Sequence, residues 1–194
     1  MIIGICGKSG SGKTTLSNKL KEINPNIIHL DIDKVGHKVL TFNNVQEELV
    51  KTFGESIIDE NIINRKKLGE IVFASRLEMS KLSDITWKYM QIEIDRFLSD
   101  NSDKIIILDY LLLPITKYFD MCDYKILLDV PYEIRKKRAM ERDNIASKYF
   151  DLRESSSINL NPKKFDCVLK DNNDIKRLVK LLWLKYYILV VLTL

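Results

Sequence analysis

Short apolar runs alternate with amphipathic segments along much of the chain. The first run covers residues 2–6, and after a glycine-rich stretch, residues 13–23 place apolar side chains at the spacing of a helix. Four more runs are apolar enough for strands covered on both faces, at residues 27–30, 105–108, 124–128 and 165–169. Strands and helices that alternate in this way predict an α/β fold with a five-stranded parallel sheet, whose ligands bind at the carboxyl ends of the strands.

The remaining segments are predicted to be mostly helical. Between residues 34 and 100, apolar positions recur three or four residues apart in 45–53, 68–73 and 85–97, and only residues 53–64 have the pattern of a loop. Beyond the fourth strand, further helices are predicted at 132–142, 145–157 and 174–187.

No linker, internal repeat or low-complexity segment separates these elements, so the sequence predicts a single domain. We expect a core of residues 1–33, 104–143 and 163–187, a helical region at 34–100, a lid at 143–160 and an apolar tail at 186–194. The tail has nine uncharged residues, fewer than the ~20 that a membrane span needs. We expect it either to pack against the domain or to contact a partner.

Composition excludes several classes of protein. The content of 45% hydrophobic and 30% charged residues is ordinary for a globular protein, and the net charge of +4 is too scattered for a nucleic-acid surface. The three cysteines lie in or beside apolar runs without the spacing of a metal site, which predicts reduced thiols in a cytoplasmic protein. We expect a small-molecule substrate and no nucleic-acid partner, and the chain can be a monomer or a weak homo-oligomer.

Glycine is concentrated at one place. Of seven glycines, four lie in the first dozen residues, and three of these belong to Gly7-Lys8-Ser9-Gly10-Ser11-Gly12-Lys13-Thr14. This segment has the GxxxxGK[ST] pattern, after a predicted strand and at the start of a helix, as a phosphate-binding loop requires. Its backbone N–H groups are predicted to surround the phosphates of a nucleoside triphosphate, with Lys13 at the β- and γ-phosphates and the Thr14 hydroxyl on Mg²⁺.

Size and motifs narrow the choice among proteins with this loop to kinases. A chain of 194 residues has no room for the accessory domains of a motor, and it lacks the Asn-Lys-x-Asp motif of GTPases, since residues 171–174 contain no lysine. A small-molecule kinase needs a carboxylate near the acceptor hydroxyl, a helical cover for the acceptor, and arginines that close over the transferred phosphoryl group. The chain has candidates for all three.

Three carboxylates follow predicted strands. Asp31 and Asp33 come after the second strand, where they can orient or deprotonate a hydroxyl group, although one of them can instead cap the following helix. We predict that Asp33 is the base and that Asp31 supports it or the metal. Asp109 ends the third strand, where a carboxylate commonly holds Mg²⁺ through water, and a plain strand-end turn is the alternative.

The basic helix predicted at 132–142 supplies the arginines. Arg135, Arg138 and Arg142 recur at the spacing of one helix face, and Arg153 follows further along the chain. Guanidinium groups bridge phosphate oxygens well, although a run of this kind is usually a solvated surface. Because the helix begins beside the carboxyl edge of the predicted sheet, we predict that Arg138 and Arg142 belong to a lid.

Taken in order, the segments GKSGSGKTT, LDIDKVGHKVL and NRKKLGEIVF and the lid arginines resemble the dephospho-coenzyme A kinase family, over about residues 2–173. The resemblance implies a three-layer P-loop kinase fold with a helical substrate-binding insertion and an arginine-bearing lid. It also implies transfer of the γ-phosphoryl group of ATP, with Mg²⁺, to the ribose 3′-hydroxyl of dephospho-CoA, the last step of coenzyme A synthesis.

The resemblance assigns site residues as well. Catalysis falls to Lys13, the two aspartates Asp31 and Asp33, and the arginines Arg138 and Arg142. The nucleotide is expected to meet residues 7–14 together with Thr15, Arg142 and Asn172, the last of these in the loop that meets adenine. The acceptor is expected to meet Asp33, His37, Arg65, Asp109, Arg138 and Arg153.

The chain departs from the family in the acceptor half. It has Thr86-Trp87-Lys88 where members usually have Thr-His-Pro, and Ser157 where the lid helix usually ends in Gln. After the third strand it has Leu111-Leu112-Leu113-Pro114-Ile115 where members usually have Pro-Leu-Leu-Phe-Glu, so the acid is missing. Two alternatives therefore stay open. One is a nucleoside or nucleoside-monophosphate kinase on the same scaffold, and the other is a nucleotide-binding protein that has lost catalysis.

Overall fold

The structure, a computed structural model, describes residues 1–155 and 157–170 together with Leu178. The chain divides into two compact units, one formed by Met1–Leu30 with Asp103–Leu194 and the other by Asp31–Ser102, and each is described by itself. Apart from Leu178, the helix predicted at 174–187 lies outside the described residues, as do the tail at 186–194 and Asn172. Among the residues that are described, no helix is both long and apolar enough to cross a membrane.

The described part of the chain contains seven strands and eight α-helices. The strands are β1 (Ile2–Cys6), β2 (Ile27–Asp31), β3 (Ile58–Asp59), β4 (Ile62–Ile63), β5 (Ile105–Asp109), β6 (Tyr124–Leu128) and β7 (Cys167–Leu169). The helices are α1 (Lys13–Ile23), α2 (Ile32–Val39), α3 (Asn43–Phe53), α4 (Arg65–Phe73), α5 (Arg76–Asp100), α6 (Lys117–Asp120), α7 (Tyr132–Asp143) and α8 (Ser147–Ser155).

The five predicted strands form one sheet in the order β2-β5-β1-β6-β7. The central strand β1 runs parallel to β5 and to β6, and β6 runs parallel to β7. Ile5 of β1 pairs with Asp109 on one side and Ile126 on the other, so these strands end at the same edge of the sheet. This arrangement confirms the predicted α/β fold, and it places the turn after β1 where parallel sheets bind their ligands.

The core of the first unit lies on this sheet. Apolar side chains of β1, β5 and β6 pack with the buried face of α1, and the fully buried members include Ile5, Leu16, Ile107, Ile126 and Leu178. Strand β7 begins two residues later than predicted. The Lys125 N–H donates to the Asp166 carboxylate at 2.7 Å, so a side chain satisfies the backbone group before the ladder of β6 and β7 begins.

The second unit is mainly helical, as the apolar spacing predicts. Helix α5 packs against α2, α3 and α4, and its Met90 and Ile94 are buried. The predicted loop at 53–64 contains a short antiparallel hairpin of β3 and β4. Its turn residues, Glu60 and Asn61, have positive φ angles of 47° and 63°, and a turn of this kind is hard to predict when it lacks glycine.

Candidate active site

The turn between β1 and α1 has the geometry of a phosphate-binding loop. Gly10 and Gly12 adopt positive φ angles of 78° and 93°, which glycine tolerates at no steric cost. The Ser11 N–H donates to the Lys8 carbonyl at 3.1 Å and closes the turn. No side chain of the described residues caps the N-terminus of α1, so its first N–H groups can point at an anion.

Close packing around Gly7 also constrains the loop. A Cβ atom on Gly7 would lie 2.5 Å from the Ser11 hydroxyl oxygen and 3.0 Å from Leu128, so no larger residue fits there without a shift. The Ser11 hydroxyl is buried without a hydrogen-bond partner among the described residues. Thr14 and Thr15 lie in the first turn of α1 and are exposed, which leaves their hydroxyl groups accessible to a ligand.

Lys13 and Asp109 come together at the edge of the sheet. The Lys13 ammonium group donates to the Gly7 carbonyl at 2.9 Å and lies 3.9 Å from the Asp109 carboxylate. Asp109 is only 3% exposed, and a buried carboxylate needs a counter-charge, which Lys13 supplies. The structure therefore places Lys13, the predicted phosphate ligand, next to Asp109, the predicted metal ligand.

The sequence prediction missed His29, a third member of this cluster. Its Nε2 atom lies 3.4 Å from the Asp109 carboxylate, yet the geometry is not that of a hydrogen bond, and Nε2 has no hydrogen-bond partner among the described residues. The sequence does carry a signal for it. His29 is the one polar residue in an otherwise apolar strand at 27–30, and a polar group buried in a strand needs a partner.

Helix α7 brings Arg138 to the loop. One terminal nitrogen of its guanidinium group lies 4.0 Å from the position that a Cβ atom would occupy on Gly12. The backbone of the same helix approaches the loop at Gly10, where a Cβ atom would collide with the Arg135 carbonyl. The phosphate-binding loop and α7 are therefore packed directly against each other.

The other two predicted lid arginines meet at Asp143. Arg142 donates to this carboxylate at 2.8 and 3.0 Å, and Arg153 of α8 donates to it at 2.9 Å. Hydrogen bonds from Arg142, followed by those from Arg153, lower the pKa of Asp143. Asp143 thus holds two guanidinium groups together, a role that the sequence prediction did not assign.

Arg135 differs from the arginines that share its helix face. It is 6% exposed, and it donates to the Val130 carbonyl at 2.9 Å and to the carboxylate of Glu154 at 2.8 and 2.9 Å. Helical spacing places Arg135, Arg138 and Arg142 on one face but cannot show which of them is buried. Arg135 is a buried structural group.

In the second unit, the two aspartates of the predicted pair have different environments. The Asp31 side chain caps α2, because it accepts a hydrogen bond from the Lys34 N–H at 3.2 Å. Asp33 lies in the first turn of the same helix with an exposed side chain. The capping role that was the alternative for this pair is therefore held by Asp31.

The structure also brings together His37 and Arg65 within the second unit. A terminal nitrogen of Arg65 lies 2.9 Å from the His37 Nε2. Burial and the nearby Arg65 charge lower the pKa of His37, against an opposing effect of Asp31. A neutral imidazole beside a guanidinium group is an arrangement that can accept an anionic substrate.

Lys88, which stands where the family usually has proline, connects two helices of the second unit. The Thr86 hydroxyl donates to the Leu82 carbonyl at 2.8 Å within α5. Lys88 and Tyr89 both donate to Glu48 of α3, at 2.7 and 2.9 Å. In the first unit, Ile115 is 71% exposed.

A parallel sheet whose central strand leads through a glycine-rich loop into a helix, with a lysine and a buried aspartate beside the loop, defines a P-loop nucleotide-binding protein. The family model described as dephospho-CoA kinase matches residues 1–177. The chain belongs to the dephospho-CoA kinase family.

Individual relatives support this family assignment. The dephospho-CoA kinase of Fusobacterium nucleatum is 33% identical over 93% of this chain and 94% of its own length, and that of Aquifex aeolicus is 37% identical over 72% of each. Among solved structures, a Thermus thermophilus protein has a TM-score of 0.81 at 24% identity, covering 95% of this chain and 97% of its own. The dephospho-CoA kinase from Campylobacter jejuni has a TM-score of 0.67 at 22% identity, covering 95% and 96%.

These findings confirm the resemblance drawn from the sequence and the predicted P-loop kinase fold. They support a phosphotransferase and favour the main prediction of function over the nucleoside kinase and over a protein without catalysis. The roles assigned to individual residues stay predictions, as does the division of the chain into core, helical region, lid and tail.

Proposed function

We propose that the protein transfers the γ-phosphoryl group of ATP to the ribose 3′-hydroxyl of dephospho-CoA, in the cytoplasm and with Mg²⁺. The observation that carries this proposal is the family match over residues 1–177, in a chain whose phosphate-binding loop is complete. The positions of Lys13 and Asp109 beside that loop support it further.

The first unit supplies the groups that would hold the nucleotide. The loop N–H groups and Lys13 would bind the β- and γ-phosphates, and Arg138, which lies beside Gly12, would stabilise the charge that develops during transfer. Arg142, held by Asp143, would join Arg138 in this role, and Arg153, held by the same carboxylate, would bind the acceptor. Little covalent chemistry is required of the protein in phosphoryl transfer, so positioning and charge stabilisation account for most of the rate.

Mg²⁺ fits the residues beside the loop. The Thr14 hydroxyl and the Asp109 carboxylate are oxygen donors of the kind that Mg²⁺ prefers, and the Lys13 ammonium group lies 3.9 Å from that carboxylate. Two protein oxygens suffice, because Mg²⁺ usually keeps waters and substrate phosphates as its other ligands. When bound, the ion would offset the negative charge of the phosphates.

The acceptor hydroxyl would lose its proton to Asp33. The structure supports this choice over Asp31 because the Asp33 side chain is exposed in the first turn of α2, whereas Asp31 is partly buried and caps that helix. Asparagine caps helices as well as aspartate does, so Asp31→Asn removes a charge and leaves the helix intact. We expect Asp33→Asn to lower kcat by about 10²–10⁴-fold with ATP binding retained, and Asp31→Asn to change it far less. The reverse order would make Asp31 the base.

The decisive experiment is incubation with ATP, Mg²⁺ and dephospho-CoA, followed by mass spectrometry and phosphorus NMR of the product. We expect a product heavier by one phosphoryl group, attached at the ribose 3′ position. A panel of nucleosides and nucleoside monophosphates serves as the matched control. Phosphorylation of a panel member with none of dephospho-CoA would refute the proposal.

A further inference from the structure

Three charged side chains meet beside the phosphate-binding loop in contacts that the proposed chemistry does not use. Glu154 of α8 accepts a hydrogen bond from Lys8 of the loop at 2.9 Å. It also accepts two from Arg135 of α7, at 2.8 and 2.9 Å. Arg135 donates in addition to the carbonyl of Ser9, at 3.4 Å. One carboxylate therefore connects α7 and α8 to the loop, which lies far from both helices in the sequence.

The charges of this cluster are well shielded from water. Arg135 is almost fully buried, and the side chains of Glu154 and Lys8 are 20% and 27% exposed. Hydrogen bonds from Arg135, followed by those from Lys8, lower the pKa of Glu154 to about 2. Glu154 is therefore ionised at neutral pH, and charge-assisted hydrogen bonds between partly buried groups are stronger than surface ion pairs.

Other contacts of α8 are made with α7. The Phe150 ring is buried and packs edge-on against Tyr132, with centroids 5.6 Å apart. Asp151 pairs with Lys136 at 2.8 Å in an exposed position. Both contacts hold α8 to α7, whereas Glu154 contacts α7 and the loop together.

We infer that Glu154 is a positioning residue, which fixes α8 and its Arg153 against the phosphate-binding loop through Lys8 and Arg135. The inference rests on the proposed function, because the placement of Arg153, which is expected to bind the acceptor, matters only if phosphoryl transfer takes place at the loop. A helix that is already held in place reduces the ordering cost of ATP binding. Glu154 thereby links the nucleotide loop to the arginine-bearing segment.

The test compares Glu154→Gln with Asp151→Asn, which removes the same charge from the same helix but changes only contacts with α7 and within α8 itself. ATP affinity is measured by calorimetry, and hydrogen exchange is followed in the segment 147–155. We expect Glu154→Gln to weaken ATP binding and to speed exchange by about tenfold each, the usual size for loss of a hydrogen bond to a charged group. We expect Asp151→Asn to change ATP affinity by less than about twofold.

The sign of the effect separates positioning from simple electrostatics. Loss of a negative charge beside the loop would by itself tighten the binding of an anion. Unchanged or tighter ATP binding by Glu154→Gln would overturn the inference, and so would an equal loss in Asp151→Asn.

A double-mutant cycle with Lys8→Gln adds a second measurement that does not depend on one variant. We expect the double variant to lose less ATP affinity than the sum of the two single losses, because both remove the same contact. Additive losses would contradict the link between Lys8 and Glu154. ATP binding and exchange need no acceptor, so a wild-type protein that fails to phosphorylate dephospho-CoA would refute the proposed function and leave this test intact.

Discussion

Two glycines of the phosphate-binding loop have the same type of backbone conformation but different surroundings, and this difference makes a quantitative prediction. Gly10 and Gly12 both have positive φ angles. A Cβ atom on Gly10 would collide with the carbonyl oxygen of Arg135 and would lie 2.8 Å from its carbon, whereas the nearest atom to a Cβ on Gly12 is an Arg138 nitrogen at 4.0 Å. Alanine at Gly12 is therefore strained only by its backbone, and alanine at Gly10 also overlaps α7.

The expected losses of stability follow from these two costs. A left-handed backbone costs a non-glycine residue about 1–2 kcal/mol, so Gly12→Ala should lower the free energy of unfolding by about that amount. Overlap with packed atoms typically costs about 1–3 kcal/mol more. Added together, these figures predict a loss of about 2–5 kcal/mol for Gly10→Ala. In a chain of this length, 1 kcal/mol corresponds to about 2–4 °C in Tm.

Urea denaturation followed by circular dichroism measures both losses, with Tm as a second readout. ATP calorimetry reports whether the loop still binds phosphate, and we expect Gly10→Ala to be the weaker binder because α7 must move to accommodate it. Equal stability of the two variants would show that the backbone of Arg135 yields without cost. That result would refute the rigid packing of loop against helix described above.

Three further predictions concern single charged groups. Lys13→Ala should lower kcat by at least about 10²–10³-fold in the product assay, because it removes a cation from the transferred phosphates, and a wild-type kcat would contradict the assignment. Asp31→Ala should lower the free energy of unfolding by about 1 kcal/mol in urea while Asp31→Asn does not, since only the alanine variant loses the cap of α2; equal losses would exclude the capping role. Glu154 has a pKa of about 2 in the folded protein against an ordinary 4.5, so its contribution to stability is complete above pH 4.5 and is lost as the pH falls toward 2. The difference in unfolding free energy between wild type and Glu154→Gln should therefore shrink from pH 6 to pH 3, and a constant difference would contradict the ion pair.

The core of the fold and the nucleotide loop follow from local features of the chain. Continuous apolar runs predict the five strands of the sheet because a strand covered on both faces needs no polar positions. The loop follows from the glycines at 10 and 12, since only glycine adopts their backbone angles without cost. Lys13 and Asp109 are found in the same way, because parallel strands that end at one edge bring together the residues that follow them.

The environment of each charged side chain depends on tertiary structure. Helical spacing places Arg135, Arg138 and Arg142 on one face, yet their surroundings differ. Arg135 is buried and bonded to Glu154, Arg138 lies at the loop, and Arg142 pairs with Asp143. His29 of β2 lies beside Asp109 of the neighbouring strand β5, and the sequence around His29 does not show that Asp109 is its neighbour. Periodicity determines which side chains share a face, whereas burial and counter-charge come from residues distant in the chain and are settled only when those segments pack together.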